Sequence, residues 1–259
     1  MSHTVETPEP IIAENLSAHL AGTTLDDVSG SEATSDAIAA SITTEPADSL
    51  FNRFAWLYVF FREKLFRDDT GRMIDALWPA SRPPAGTRML EIGCGPGFYS
   101  CGFAARFPEL RVIGVDRAAR QLDCAKSKAR KFGLTNCRFE RDNVLDLSYP
   151  DDSFDVLVAA RLFTVLPERK RAIGEMNRVL RSGGRCLIAE PRYGIWASLP
   201  LFAMWFVARC TRMDNGCREP RRAIVLSTDQ FRDLFTSLPW SDVKVWQDGR
   251  YHYALCEKV

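Results

Sequence analysis

Histidine is nearly missing from this chain. There are three in 259 residues, and two of them, His3 and His19, lie near the amino terminus, which leaves His252 as the one imidazole in the body. Eight cysteines are present, yet none forms a C-x-x-C pair, and a histidine lies near just one of them, His252 four residues before Cys256. That pattern argues against zinc, and no metal is expected. The first fifty residues contain no Lys or Arg, and no aromatic residue precedes Phe51. A mitochondrial transit peptide is basic, and a secretory signal needs an apolar core after a basic start, so neither is expected here. Without an export signal the cysteines read as reduced thiols in the cytoplasm. Long apolar runs are lacking too. Phe54–Phe61 is far too short to span a bilayer, and the run at 194–208 is slightly short and interrupted by Pro200.

The net charge of +1 conceals an asymmetry. The first fifty residues hold nine of the 33 acids and none of the 34 Lys and Arg, which leaves 24 acids against 34 bases in the remainder. Residues 1–48 are rich in Ser, Thr, Ala and Glu. Such a segment buries too little apolar surface to offset its ordering entropy, so an acidic disordered tail is expected, with at most a marginal helix over 11–20. Residues 49–259 read as one mildly basic folded domain.

The most informative stretch is Met89-Leu90-Glu91-Ile92-Gly93-Cys94-Gly95-Pro96-Gly97-Phe98-Tyr99. A short apolar run leads into glycines at alternate positions and then a helix-like segment. That pattern describes a strand feeding a tight turn whose backbone lies against a ligand. The spacing is not the G-x-G-x-x-G of dinucleotide binders. Glu91 stands two residues before the first glycine, where a pyrophosphate would be repelled and a cationic group would fit. A second buried strand, Arg111–Val115, ends in Asp116, about 20 residues on, where a doubly wound sheet places a ribose-binding carboxylate. Strands read at 88–92, 111–115, 137–140, 154–159 and 185–189, with helices near 98–107, 117–132 and 168–180. This alternation predicts an α/β fold with a doubly wound, mostly parallel sheet whose ligand loops gather at the carboxyl edge. Cap helices are expected within 49–80, with Asp48 or Ser49 capping the first. Ser227–Gln230 resembles a capping box opening a helix through Phe235. Val243–Trp246 and Tyr251–Cys256 flank a turn at 247–250, which predicts a closing hairpin.

With Arg141-Asp142-Asn143-Val144, Phe154–Ala160 and Arg181–Glu190 added, residues 85–191 resemble the class I S-adenosylmethionine-dependent methyltransferases. The likeness is to the small-molecule branch similar to ubiquinone and menaquinone C-methyltransferases. The resemblance implies a Rossmann-like seven-stranded sheet with a C-terminal antiparallel pair, and S-adenosylmethionine as cofactor. It implies that Gly93, Gly95 and Gly97 supply the turn, that Glu91 acts near the amino end, and that Asp116 accepts the ribose hydroxyls. Asp116 also suits a helix N-cap. Asp142 falls where an acid meets the adenine amino group, with Asn143 adding a backbone N–H; a turn-capping aspartate is the other reading. Arg117 either packs its stem on adenine or is solvated. Tyr99 either reaches over the cofactor or sits in the core.

No residue is assigned to catalysis; Arg161, Tyr58 and Tyr99 are candidates. Arg161 ends the fourth strand, where cofactor and acceptor meet, and suits a carboxylate or a surface ion pair. Tyr58, Trp56 and Phe163 are candidate walls of an acceptor pocket. Residues 192–226 read as an inserted lid, with Trp196, Phe202, Trp205 and Phe206 forming a gate, packing internally or touching a membrane surface. No histidine base is in evidence. A thiol or sulfide ionises without one, so a small thiol competes with a lipophilic phenol or quinol as acceptor. Cys210 and Cys217 raise a metalloid-binding alternative. There is no Asn/Asp-Pro-Pro-Tyr motif and no aromatic-interleaved basic patch, so a small-molecule acceptor is expected and nucleic acid is not. The competing class is a non-catalytic cofactor-binding or scaffold protein on the same fold.

Overall fold

A computed structural model describes residues 49–64, 68–79, 82–213, 215, 217 and 219–259. The acidic tail and the helix expected over 11–20 lie outside the described residues.

Three short helices come first: α1 (Leu50–Arg53), α2 (Ala55–Lys64) and α3 (Thr70–Leu77). Then strand and helix alternate: β1 (Arg88–Ile92), α4 (Phe98–Arg106), β2 (Arg111–Asp116), α5 (Ala119–Lys131), β3 (Cys137–Arg141), β4 (Phe154–Ala160), α6 (Arg169–Val179) and β5 (Leu180–Pro191). The chain ends with α7 (Gly194–Cys210), α8 (Thr228–Asp233), β6 (Trp240–Asp248) and β7 (Tyr251–Lys258). The strand order is β3-β2-β1-β4-β5-β7-β6. β1 to β5 pair in parallel, while β7 runs antiparallel between β5 and β6.

Apolar residues on both faces of every central strand explain the two layers. Leu90, Ile92, Leu157, Ala159, Cys186 and Ile188 enter one core with α6 and α8. Their alternate neighbours Met89, Val156, Val158, Leu187 and Ala189 enter the other with α3 and α4. The period of two in a strand does this sorting. The Ser227 hydroxyl accepts from Gln230 N–H, and the full capping box opens α8.

Two local expectations change. Ser49 is the N-cap of α1 but makes no side-chain cap bond. Its hydroxyl instead donates to Glu219 Oε1 at 2.6 Å. Pro200 does not interrupt the run at 194–208, because α7 continues through it. A mid-helix proline costs about 3 kcal/mol. Burial of Leu201, Met204 and Ala208 against Leu50 and Phe54 offsets that loss.

Candidate functional site

The carboxyl ends of β1, β2, β4 and β5 open on a cavity of about 230 Å³. Its floor holds Gly93 and Gly95; one end holds Val115, Asp116, Arg117, Ala118, Asp142 and Val144. The other end is walled by Thr164, Val165, Pro191 and, from α7, Ala197, Pro200 and Leu201.

The glycine turn is built as its residue types require. Gly93, Gly95 and Gly97 have φ of 68°, 51° and 70°, a region that side chains with a Cβ avoid. Asp116 ties this turn to the next one. Its Oδ2 accepts Gly95 N–H and its Oδ1 accepts Ala118 N–H, each at 2.8 Å. Ala118 occupies the N-cap position of α5, so the N-cap expected of Asp116 becomes an Asx-type turn two residues earlier. The helix starts at 119 instead of 117 for the same reason.

Glu91 is 2 % exposed and does not line the cavity. It accepts Ser100 N–H at 2.6 Å and also the Ser100 hydroxyl. It thereby clamps the first turn of α4 to β1. Burial pushes its pKa up to about 7, against the pull of Ser100 and Arg62. Asp142 lines the cavity and caps its own turn, accepting from Asn143 N–H at 2.7 Å and Ser148 N–H at 3.1 Å. The Asn143 N–H expected to face adenine is therefore taken, and Val144 stands at the wall instead. Arg117 is exposed at the cavity rim.

The three catalytic candidates separate. Tyr58 is at the wall, its ring edge-on to Phe51 at 5.3 Å. Tyr99 is 3 % exposed in the core and does not reach over the cavity. The cause is amphipathy: on α4 it shares the sheet-facing side with Phe103. Arg161 is at the wall with φ 57°, rare for a bulky residue. It is half-buried, and its Nη1 donates to Tyr251 Oη at 3.4 Å. Phe163 is core at 1 % exposure, and Trp56 at 63 % faces away, so neither walls the cavity. Of the lid aromatics, Trp196, Phe202 and Phe206 turn outward at 42–70 % exposed, while Trp205 is half-buried against the cluster of Leu50, Phe54 and Leu201; none of the four lines the cavity.

Four contributors carried no motif. Glu190, at the end of β5, accepts Phe163 N–H at 2.9 Å and holds the loop after Arg161; burial pushes its pKa up to about 7. Ser100 partners Glu91. Glu219 lines the cavity, and its Oε1 also accepts Leu50 N–H at 3.1 Å. Arg62 is buried beside Phe98. Only the acid closing β5 left a trace in sequence, in the run Leu187–Glu190. His252 is buried against Phe231, opposite Glu190 in the sheet, and does not line the cavity. Cys210 is exposed, and Cys217 Sγ approaches the Met213 carbonyl, so these two do not form a metalloid pocket at the cavity. Among the described residues no group of three His, Cys, Asp or Glu could hold a metal, and no helix is long and apolar enough to cross a membrane.

A seven-stranded α/β sheet with an antiparallel β7, a glycine turn after β1 and an acid closing β2 defines a Rossmann-like methyltransferase architecture. The sequence profile described as "Methyltransferase domain" matches residues 84–235, more than half of the chain. The chain therefore belongs to that family, the class I S-adenosylmethionine-dependent methyltransferases. It is similar to the uncharacterised methyltransferase YcgJ of Bacillus subtilis, with 28 % identity over 71 % of this chain and 69 % of YcgJ. The crystal structure of YcgJ superposes with a TM-score of 0.53 at 26 % identity, covering 69 % of this chain and 70 % of that one. A demethylmenaquinone methyltransferase of Deinococcus radiodurans is 33 % identical over 46 % of this chain and 49 % of its own. Phosphoethanolamine N-methyltransferase 2 of Haemonchus contortus, in complex with S-adenosylmethionine, shares the fold at TM-score 0.62 and 13 % identity, covering 83 % of this chain and 60 % of that one. The chain spans less than half the length of several curated relatives it matches, the demethylmenaquinone enzyme among them.

Proposed function

We propose that this protein transfers the methyl group of S-adenosylmethionine to a small apolar acceptor of the phenol or quinol type. One observation carries the reading: a single cavity runs from Asp116 and Asp142, past Gly93 and Gly95, to an apolar wall from α7. The cofactor supplies an electrophilic methyl on a sulfonium. Its fit is supported by the left-handed glycines, which bring bare backbone to the cavity floor, and by Asp116 at the ribose position. Asp116 and Asp142 would hold the nucleoside end, and Val115, Ala118 and Val144 the adenine faces. Gly93 and Gly95 would lie against the amino-acid end. Ala197, Pro200 and Leu201 would exclude water and align the acceptor, so that rate comes largely from proximity. Glu219 brings a carboxylate to the α7 side of the cavity and would take the acceptor's proton. The quinol-type names among the relatives support this choice.

A second reading has its own observation. The volume of about 230 Å³ is below the roughly 300–1,000 Å³ of clefts that hold drug-sized ligands. Without movement of α7, cofactor and ring compete for space, and a small thiol or sulfide fits more readily. Labelled S-adenosylmethionine offered to isoprenoid quinols and phenols, and separately to sulfide and simple thiols, tests both. Label on a ring compound is expected. Label in a volatile thioether would move the acceptor to sulfur. Binding of S-adenosylhomocysteine with no product from any acceptor would favour the non-catalytic alternative.

A further inference from the structure

Helix α7 has two unlike faces. Ser198, Leu201, Met204 and Ala208 are buried against the rest of the fold. On the other side Ile195, Phe202 and Phe206 stand 78, 44 and 70 % exposed, with Leu199 half-buried between them. Residues at i, i+4, i+7 and i+11 share one stripe of a helix, so these four side chains form a continuous apolar row. Protein surfaces in water scatter large apolar side chains singly, and a contiguous row marks a contact site.

The row is bordered by cations. The Arg250 guanidinium carbon lies 4.2 Å from the centre of the Trp196 ring, that of Arg192 5.6 Å from Tyr193, and that of Arg222 5.9 Å from Phe202. Trp196 and Tyr193 are themselves exposed. Arg209 and Arg212 follow at the far end of the helix, both exposed. From Arg192 to Met213 the chain contains no acid. This chemistry matches the boundary between lipid headgroups and acyl chains. Aromatic rings settle at headgroup depth, aliphatic and phenyl tips reach below it, and cations meet the phosphates. A single convex helix offers a protein partner no groove to fill, whereas a lipid surface needs none. No helix among the described residues can cross a membrane, so α7 would lie along the surface and not through it.

We infer that the outer face of α7 docks on an anionic lipid surface. Ile195, Leu199, Phe202 and Phe206 enter the acyl boundary, and Arg192, Arg222 and Arg250 meet lipid phosphates. The inner face of the same helix lines the cavity through Ala197, Pro200 and Leu201. An apolar acceptor dissolved in that lipid would then stand one helix away from the cavity. This last consequence rests on the methyl-transfer reading; the docking itself does not.

Flotation of the full chain with lipid vesicles tests the docking. Vesicles of phosphatidylcholine mixed with phosphatidylglycerol should bind the protein about tenfold or more tighter than phosphatidylcholine alone, since each arginine near an anionic surface adds severalfold. Phe202→Gln combined with Phe206→Gln should weaken binding to the mixed vesicles by about tenfold or more, through lost apolar burial. The same double variant should melt close to wild type, because both side chains are exposed. Arg222→Gln combined with Arg250→Gln should reduce the preference for the anionic vesicles severalfold. No flotation with the mixed vesicles, equal binding to the two compositions, or wild-type binding by the phenylalanine double variant would each overturn the docking. So would a wild-type dimer in sedimentation that this variant turns into a monomer, with no flotation, which would assign the row to a second copy of the chain. Calorimetry with S-adenosylhomocysteine is read separately. Flotation without binding of that ligand would leave the docking standing while the methyl-transfer reading falls.

Discussion

Alanine at Gly97 and alanine at Gly95 should separate folding from binding within one turn. At Gly97, φ is 70° and an added Cβ would meet the Ala125 Cβ and the Phe139 ring, each at 2.8 Å. Both neighbours belong to the core between α4, α5 and β3, and neither is the end of a flexible chain. A left-handed alanine costs about 1–2 kcal/mol. Forcing a methyl into a packed core adds about 1–3 kcal/mol. Gly97→Ala should therefore lose about 2–5 kcal/mol, roughly 4–20 °C of melting temperature for a domain of this size. At Gly95, φ is 51° and the added Cβ would meet only Tyr58 Cε1, at 3.5 Å, an ordinary contact. Gly95→Ala should lose only the conformational term of about 1–2 kcal/mol. Its methyl, however, enters the space where bare backbone faces the cavity, and S-adenosylhomocysteine should bind about tenfold more weakly or worse. Urea unfolding followed by circular dichroism measures the first quantity and calorimetry the second. Equal destabilisation of the two variants would refute the packing argument. Wild-type affinity in Gly95→Ala would refute the placement of the ligand.

Three further outcomes follow from the same geometry. Asp116→Ala removes the acceptor of two backbone N–H groups and the proposed ribose contact. Charged hydrogen bonds worth about 1.5–3 kcal/mol imply about tenfold to hundredfold weaker S-adenosylhomocysteine binding with the sheet intact; unchanged calorimetric affinity would remove Asp116 from the site. Glu219→Gln should slow acceptor turnover by about 10²–10⁴-fold at unchanged cofactor affinity if it takes the acceptor proton; an unaltered rate would leave it as the cap of α1 alone. Glu91 and Glu190 are both pushed up to about 7 by burial, from an ordinary 4.5. Between those values the folded chain keeps protons that the unfolded chain has released. Their contribution to stability is thus full below about pH 4.5, falls as pH rises toward 7 and is flat above, by at most about 3 kcal/mol each. Glu190→Gln keeps an oxygen for Phe163 N–H and should flatten part of that slope in urea titrations; a slope identical to wild type would contradict the buried carboxyl.

What the sequence makes legible here is set by how local the physics is. The strands at 88–92, 111–115 and 154–159 announce themselves because apolar residues on both faces leave a continuous run. The capping box at 227–230 follows from neighbours within one turn. The start of α5 is misjudged by two residues because Asp116 turns the backbone before the helix begins. Pro200 misleads in the opposite direction: a proline breaks an isolated helix, but α7 is held by Leu50 and Phe54, residues 150 positions away in the chain.

The same distinction divides the two ends of the cavity. The proposed nucleoside end is assembled from strand termini, and β1, β2 and β3 are each followed directly by, or end in, a residue that lines the cavity. Gly93, Gly95, Asp116 and Asp142 could therefore be found one segment at a time. The opposite end has no such address. Its wall is Ser49 and Phe51 from α1, Tyr58 from α2, Arg161 and Thr164 after β4, three residues of α7, and Glu219. Each looks ordinary in its own segment, and Trp56, Phe163 and Trp196 look better suited but point elsewhere. Helix α7 shows why: it is apolar nearly all round, so composition does not say which stripe faces in. Packing against α1 and α2 decides it, turning Ala197, Pro200 and Leu201 inward and Phe206 outward. If this wall holds the acceptor as proposed, acceptor choice is a tertiary property of α1, α2 and α7. Exchanging those helices between relatives should move substrate preference while leaving the glycine turn and its ligand untouched.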